Sequence, residues 1–182
     1  LRQIGKQYHK DFYAAYSNRM GNDGDGCPNM LFKAAYHALR AGKRIEREAA
    51  DLSRRAAKES LQACIYFEAA DYANEALERL DSGNPADVVA RIETLTILMK
   101  AELVTKGKFG DCGEARELAE KEIEPLQENE VAADVRVALI NQIALCHSDQ
   151  NRFDSCIEWA DQALELPISE APLRLEARHY KA

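Results

Sequence analysis

Long apolar runs are missing from this chain. Nowhere do about 18 consecutive apolar side chains occur, the length a helix needs to cross a bilayer, so no membrane-spanning helix is expected. Tryptophan occurs once, aromatics are 7% of residues, and the five prolines and nine glycines gather mostly at candidate turns. Long stretches are thereby left to good helix formers. The five cysteines, Cys27, Cys64, Cys112, Cys146 and Cys156, stand far apart with no Cys-x-x-Cys pair. That spacing and the odd count do not suggest a disulfide framework and fit a reducing, cytoplasmic compartment. Neither a His-Glu-x-x-His pair nor a Gly-x-x-x-x-Gly-Lys-Ser/Thr loop is present, and His9, His37, His147 and His179 are scattered. Zinc-peptidase chemistry and nucleotide hydrolysis by this stretch are therefore excluded, and neither a cofactor nor a catalytic residue is expected. Asp23 and Asp25 resemble the start of a calcium loop, but Cys27 and Ala34 stand where the fifth and twelfth ligands belong, so no metal site is expected. Leu1-Arg2-Gln3 does not open a signal peptide, and a chain beginning with Leu is expected to be an excerpt of a longer protein.

What is abundant is Ala, Leu, Glu, Arg and Lys, the composition of an all-α chain. The formal charge of −7 opposes direct nucleic-acid binding by the whole. That charge is unevenly spread: residues 1–60 carry 12 Lys or Arg against 7 Asp or Glu, and residues 61–182 carry 12 against 24. Such asymmetry fits either a docking surface or an ordinary solvated face.

Val137 to Pro167 is the most strongly patterned stretch. Ile140, Ile143, Ala144 and His147 mark one helical stripe. Past Phe153, a second is formed by Cys156, Ile157, Ala160, Ala163 and Leu164. With Pro167 closing the unit, this succession resembles a tetratricopeptide repeat. The resemblance implies antiparallel helical hairpins stacked as a right-handed α-solenoid, with Phe153 and Ala163 covered. On that basis residues 1–29 are a leading helix with a Gly/Asp-rich loop. Hairpins follow at about 30–59, 60–81, 86–127 and 131–167, with a partial one at 170–182. In 60–81, Ala70 stands where a repeat usually has Gly; in 86–127, Gly107-Lys108-Phe109 matches the turn and Glu122 fills a usually small position. The wide apolar arc of residues 86–106 implies neighbours on two sides. Cys64, Cys146 and Cys156, with Tyr8, Tyr13, Tyr16 and Tyr66, read as core residues.

A second resemblance runs from residue 1 to about 81. Leu1-Arg2-Gln3-Ile4-Gly5, Ala35-Tyr36-His37-Ala38-Leu39-Arg40-Ala41-Gly42, Ala56-Ala57 and Tyr72-Ala73-Asn74-Glu75-Ala76-Leu77-Glu78-Arg79-Leu80 are similar to the helical region after the ATPase module of STAND-type signalling ATPases. It implies a regulatory arm controlled by a partner or inducer, with an ATPase or effector domain attached in the parent chain.

The expected function is a protein-interaction scaffold gripping a peptide or partner domain in its groove. Asn141, His147 and Gln150 are the candidates on the hairpin at 131–167. Arg47 and Arg54 are those on the basic helix, where interleaved acids at i+3 and i+4 equally fit surface ion pairs. The alternatives are the regulatory arm and, more distantly, a helical enzyme.

Overall fold

The computed structural model describes residues 2–23, 28–42, 45–106, 113–123 and 131–181, with side chains from residue 4 to 19 and from 29 onward within those ranges. The described residues form nine α-helices and no strand: α1 (Arg2–Asp23), α2 (Pro28–Ala41), α3 (Glu46–Gln62), α4 (Tyr66–Leu77), α5 (Val88–Lys106), α6 (Gly113–Ile123), α7 (Ala133–Asp149), α8 (Phe153–Glu165) and α9 (Ala171–Lys181). The chain divides into two compact units, Leu1–Leu80 and Asp81–Ala182. The second begins with turn chemistry: Asp81 Oδ1 accepts the Gly83 N–H at 2.9 Å and Asn84 Oδ1 accepts the Ala86 N–H at 3.1 Å. These short side chains satisfy backbone donors that no helix yet engages.

In the first unit each helix packs on the next, α1 on α2, α2 on α3 and α3 on α4. The core is built mainly of alanine. Leu31, Ala34, Ala35, Ala38, Ala49, Leu52 and Ala56 are buried, with Tyr13, Tyr16, Phe32 and Tyr72 packed against them. The leading helix α1 is the partner of α2. Its half-buried Tyr13 and Tyr16 rest on the alanine stripe and supply the volume that stripe lacks.

α7 is the hub of the second unit, touching α5, α6, α8 and α9. Leu139 to Ala144 are consequently buried without interruption, so this helix has no single apolar face. α5 packs on both α6 and α7, the two neighbours its wide apolar arc required. α9 continues the row, packing on α8 and α7, although Leu175 stays 69% exposed.

Two hairpins, one in each unit, follow the same plan. α3 and α7 are both 17 residues long and α4 and α8 both begin four residues after their ends, at an offset of 87 residues. Both first helices end in a Schellman turn. Ile65 N–H reaches Ser60 O and Cys64 N–H reaches Leu61 O, while Arg152 N–H reaches His147 O and Asn151 N–H reaches Ser148 O. The residue inside each turn is left-handed, Cys64 at φ 60° and Asn151 at φ 58°. Buried positions coincide as well: Ala50, Leu52, Ser53, Ala56, Ala57 and Ser60 match Val137, Leu139, Ile140, Ile143, Ala144 and His147. In the second helices Ala69, Ala73 and Ala76 match Cys156, Ala160 and Ala163. The same spacing of small buried residues recurs in α2 as Ala34, Ala38 and Ala41.

This register revises two expectations. Residues 60–81 are not a hairpin by themselves. Ser60 to Gln62 complete α3, the turn falls at Ala63 and Cys64, and the position assigned to Ala70 belongs to Ala57, the counterpart of Ala144. Cys64 is then an exposed turn residue rather than a core one. Ala163 is buried as expected, whereas Phe153 is 57% exposed. Gly107-Lys108-Phe109, Cys27, Cys112 and the Asp23/Asp25 pair lie outside the described side chains.

Candidate partner-binding surface

The five residues singled out in the sequence fall on two helices. Arg47 and Arg54 stand on α3, where Arg47 is exposed and Arg54 Nη2 meets Asp51 Oδ1 at 2.9 Å, an i, i+3 pair of the kind the interleaved acids implied. Asn141 lies midway along α7, His147 in its last turn and Gln150 at its C-cap. Asn141 is fully buried and its Nδ2 donates to Leu173 O at 2.9 Å, tying α7 to α9. His147, 5% exposed, sets Nε2 at 2.8 Å from Glu120 Oε1, and Arg116 Nη1 donates to the same oxygen at 2.7 Å. Gln150 is half-buried at the α7 C-terminus. Burial takes Asn141 and His147 out of any open groove and makes them ties between helices. A polar residue on a helix enclosed from several sides finds its partners inside the protein, a distinction that spacing along the chain does not carry.

A second buried tie lies between α5 and α6. Arg91 and Glu122, with side chains 8% and 15% exposed, form a bidentate pair in which Nε lies 2.8 Å from Oε2. Glu122 follows Ala115 and Ala119 at the spacing where α4 and α8 carry Ala76 and Ala163. A carboxylate in that small-residue slot is tolerable only when a cation neutralises it, and Arg91 of the neighbouring helix does so. Both networks hold helices at fixed rotations. Among the described residues, no group of three or more His, Cys, Asp or Glu side chains is placed to hold a metal ion.

The surface that sequence reasoning missed runs along α1 and α2. Ile4, Tyr8 and Phe12 recur every four residues on α1, so they share one face, and they are 72%, 53% and 37% exposed. Tyr36 of α2 is 46% exposed and lies under the Arg40 guanidinium, 3.8 Å from the ring centroid. Between them sits an imidazole pair, with His9 Nδ1 2.9 Å from His37 Nδ1. One ring must donate and the other accept, so the contact survives one shared proton and is broken when both nitrogens carry one. Burial, then the neighbouring His9, then Arg40 push the His37 pKa below the usual imidazole value. Phe12 and Tyr16 stack on His37 with centroids 5.1 and 5.7 Å away. Tyr8 is therefore an open surface residue, not the core residue its helical spacing implied. The available signal was the coincidence of the aromatic stripe with a local excess of cations: α1 and α2 carry six Lys or Arg against two Asp.

A shallow cleft of about 380 Å³ opens at the start of α9, with Arg174, Leu175 and Arg178 in its wall. Ser169 of its lining is held by Asp134 of α7, which accepts the Ser169 hydroxyl and the N–H groups of Ser169 and Glu170 at 2.9 and 3.3 Å. These bonds hold the Asp134 carboxyl below the usual carboxylate range. Among the described residues, no helix is long and apolar enough to cross a membrane. No family model, curated protein or solved structure matches the chain.

Proposed function

We propose that this chain is a cytoplasmic protein-interaction scaffold, an array of helical hairpins stacked as a tetratricopeptide-like right-handed solenoid that grips a peptide or a partner domain. The recurrent small buried residues carry this reading: Ala34, Ala38 and Ala41, then Ala69, Ala73 and Ala76, then Cys156, Ala160 and Ala163. Small side chains at i, i+4 and i+7 let a neighbouring helix approach closely and at one rotation, as repeated hairpins require if each is to bury its face on the next. The side chains offered to the partner are the exposed aromatics of α1 and α2, with Arg47 and Arg54 of α3 on the same unit. Asn141 and His147 serve instead to hold the second unit together. The reading assigns the chain no reaction, cofactor or metal.

The test is recovery of a stoichiometric protein partner by the immobilised 182-residue chain, with the complex reformed from purified components. Failure to bind any protein or peptide, or turnover of a small substrate abolished by His37→Ala, overturns it. The alternative, a regulatory arm of a STAND-type signalling ATPase, draws on the unit boundary at Leu80, which coincides with the end of the stretch resembling that family. A phosphate-binding loop upstream of Leu1 in the parent chain would favour it.

A further inference from the structure

We propose that the face shared by α1 and α2 docks an acidic amphipathic helix of a partner protein, its apolar side on Ile4, Tyr8, Phe12 and Tyr36 and its carboxylates on the cations that border them. The proposal rests on the scaffold reading and names the class of ligand and its seat.

Shape comes first. Ile4, Tyr8 and Phe12 span eight residues, about 12 Å of helix. Tyr36 adds one ring on the α2 side, reached through the contacts of Tyr8 and Tyr36 with the His9–His37 pair. A row of side chains on one helix, flanked by a ring on the next, receives a third helix that presents its own apolar residues at i, i+3, i+4 and i+7. Ile4 is the most open of the four and has no π-face, which favours an aliphatic and aromatic peptide side over a stack of nucleobases.

Charge selects the partner's sign. Exposed Lys33 and Arg40 of α2 border the rings. The Arg40 guanidinium lies 3.8 Å from the Tyr36 ring centroid, and Lys33 Nζ lies 5.9 Å from that of Tyr16. The acid beside the stripe, Asp11, accepts a hydrogen bond from Gln7 Nε2 at 2.8 Å. Over the two helices the balance is six cations to two acids, in a chain whose total is −7. A cationic rim in an otherwise acidic molecule steers an acidic partner to this one place. It also makes the association weaken with salt.

The experiment uses the 182-residue chain and three fluorescent probes. They are a 16-residue helical peptide with Leu at i, i+4, i+7 and i+11 and Glu on its flanks, the same peptide with Lys for Glu, and a single-stranded oligonucleotide. Expected are binding of the Glu peptide, at least tenfold weaker binding of the Lys peptide, and several-fold loss of the Glu peptide at high salt. Tyr8→Ala with Tyr36→Ala should weaken the Glu peptide about tenfold. Both rings are largely exposed, so helicity should persist, and circular dichroism checks that. Arg40→Glu should narrow the preference for the Glu peptide over the Lys peptide several-fold while leaving Tyr8 and Tyr36 in place. Equal binding of both peptides, indifference to the tyrosine pair, or an oligonucleotide bound more tightly than the Glu peptide each overturns the proposal. If a protein partner is retained equally by the wild-type chain and the tyrosine double variant, this seat fails and the scaffold reading stands. If nothing is bound at all, both fail.

Discussion

The α3–α4 and α7–α8 hairpins share a helix length, a turn and a register of burial, yet they are filled differently. At matching buried positions α3 carries Ala50, Ser53 and Ala56 where α7 carries Val137, Ile140 and Ile143. Each buried methylene contributes roughly 0.8 kcal/mol, so α7 anchors its unit far more strongly than α3 anchors its own. The difference follows from surroundings. α7 is enclosed by four helices and has large spaces to fill, whereas α3 lies between α2 and α4, whose own contact residues are alanines. One backbone plan is therefore compatible with two kinds of core, and the small residues of the second helix are what the two hold in common.

Making α7 resemble α3 should have the largest effect. Ile143→Ala replaces a fully buried side chain by its counterpart at Ala56 and should cost about 2–5 kcal/mol, read as a lowered denaturant midpoint. A loss below 1 kcal/mol would mean that the two cores are equally loose. Enlarging the small slot comes next. Ala73→Leu and Ala160→Leu should each destabilise by about 1–3 kcal/mol, because both positions are fully buried against a neighbouring helix. If one is tolerated and the other is not, the shared register is not a shared packing.

Smaller effects should separate the hairpins. Ser53 and Ser60 have buried hydroxyls without a hydrogen-bond partner among the described residues, so Ser53→Ala should stabilise by about 1 kcal/mol. At the turns, Cys64→Gly should stabilise by roughly 0.5–1 kcal/mol, since a left-handed φ suits Gly, while Asn151→Gly should be nearly neutral because Asn tolerates that region. Thermal unfolding of the pair measures the contrast. The last difference is in acid. His37 has a pKa lowered below its ordinary value, so the stability it contributes is present above pH 6.5 and lost as pH falls through the folded-state pKa. Protection against hydrogen exchange should therefore fall in α1 and α2 below pH 6.5 before it does in α7 and α8. Equal loss of protection would remove the imidazole pair from the account.

Much of this was readable before any coordinates. Ile140, Ile143 and Ala144 are buried where their periodicity places them, as are Cys156, Ala160 and Ala163. The candidate site was less readable. The places of Asn141 and His147 along the helix suggest an open groove, but enclosure by α9 and α6 gives both a partner inside the protein. Tyr8 shows the converse, since its spacing implied a core position and no described helix covers it. Periodicity reports which residues share a face. It does not report how many neighbours that face receives.

From composition and spacing alone came an all-helical chain, its apolar stripes and the small residues within them, because these depend on intrinsic helix propensity and a 3.6-residue period. Tertiary structure alone decided that the Cys64 turn separates α3 from α4, that Arg91 neutralises Glu122, that α7 is enclosed, and that an aromatic, cationic face of α1 and α2 is left open. Each of those depends on which helix lies beside which, a long-range choice governed by the packing of whole surfaces.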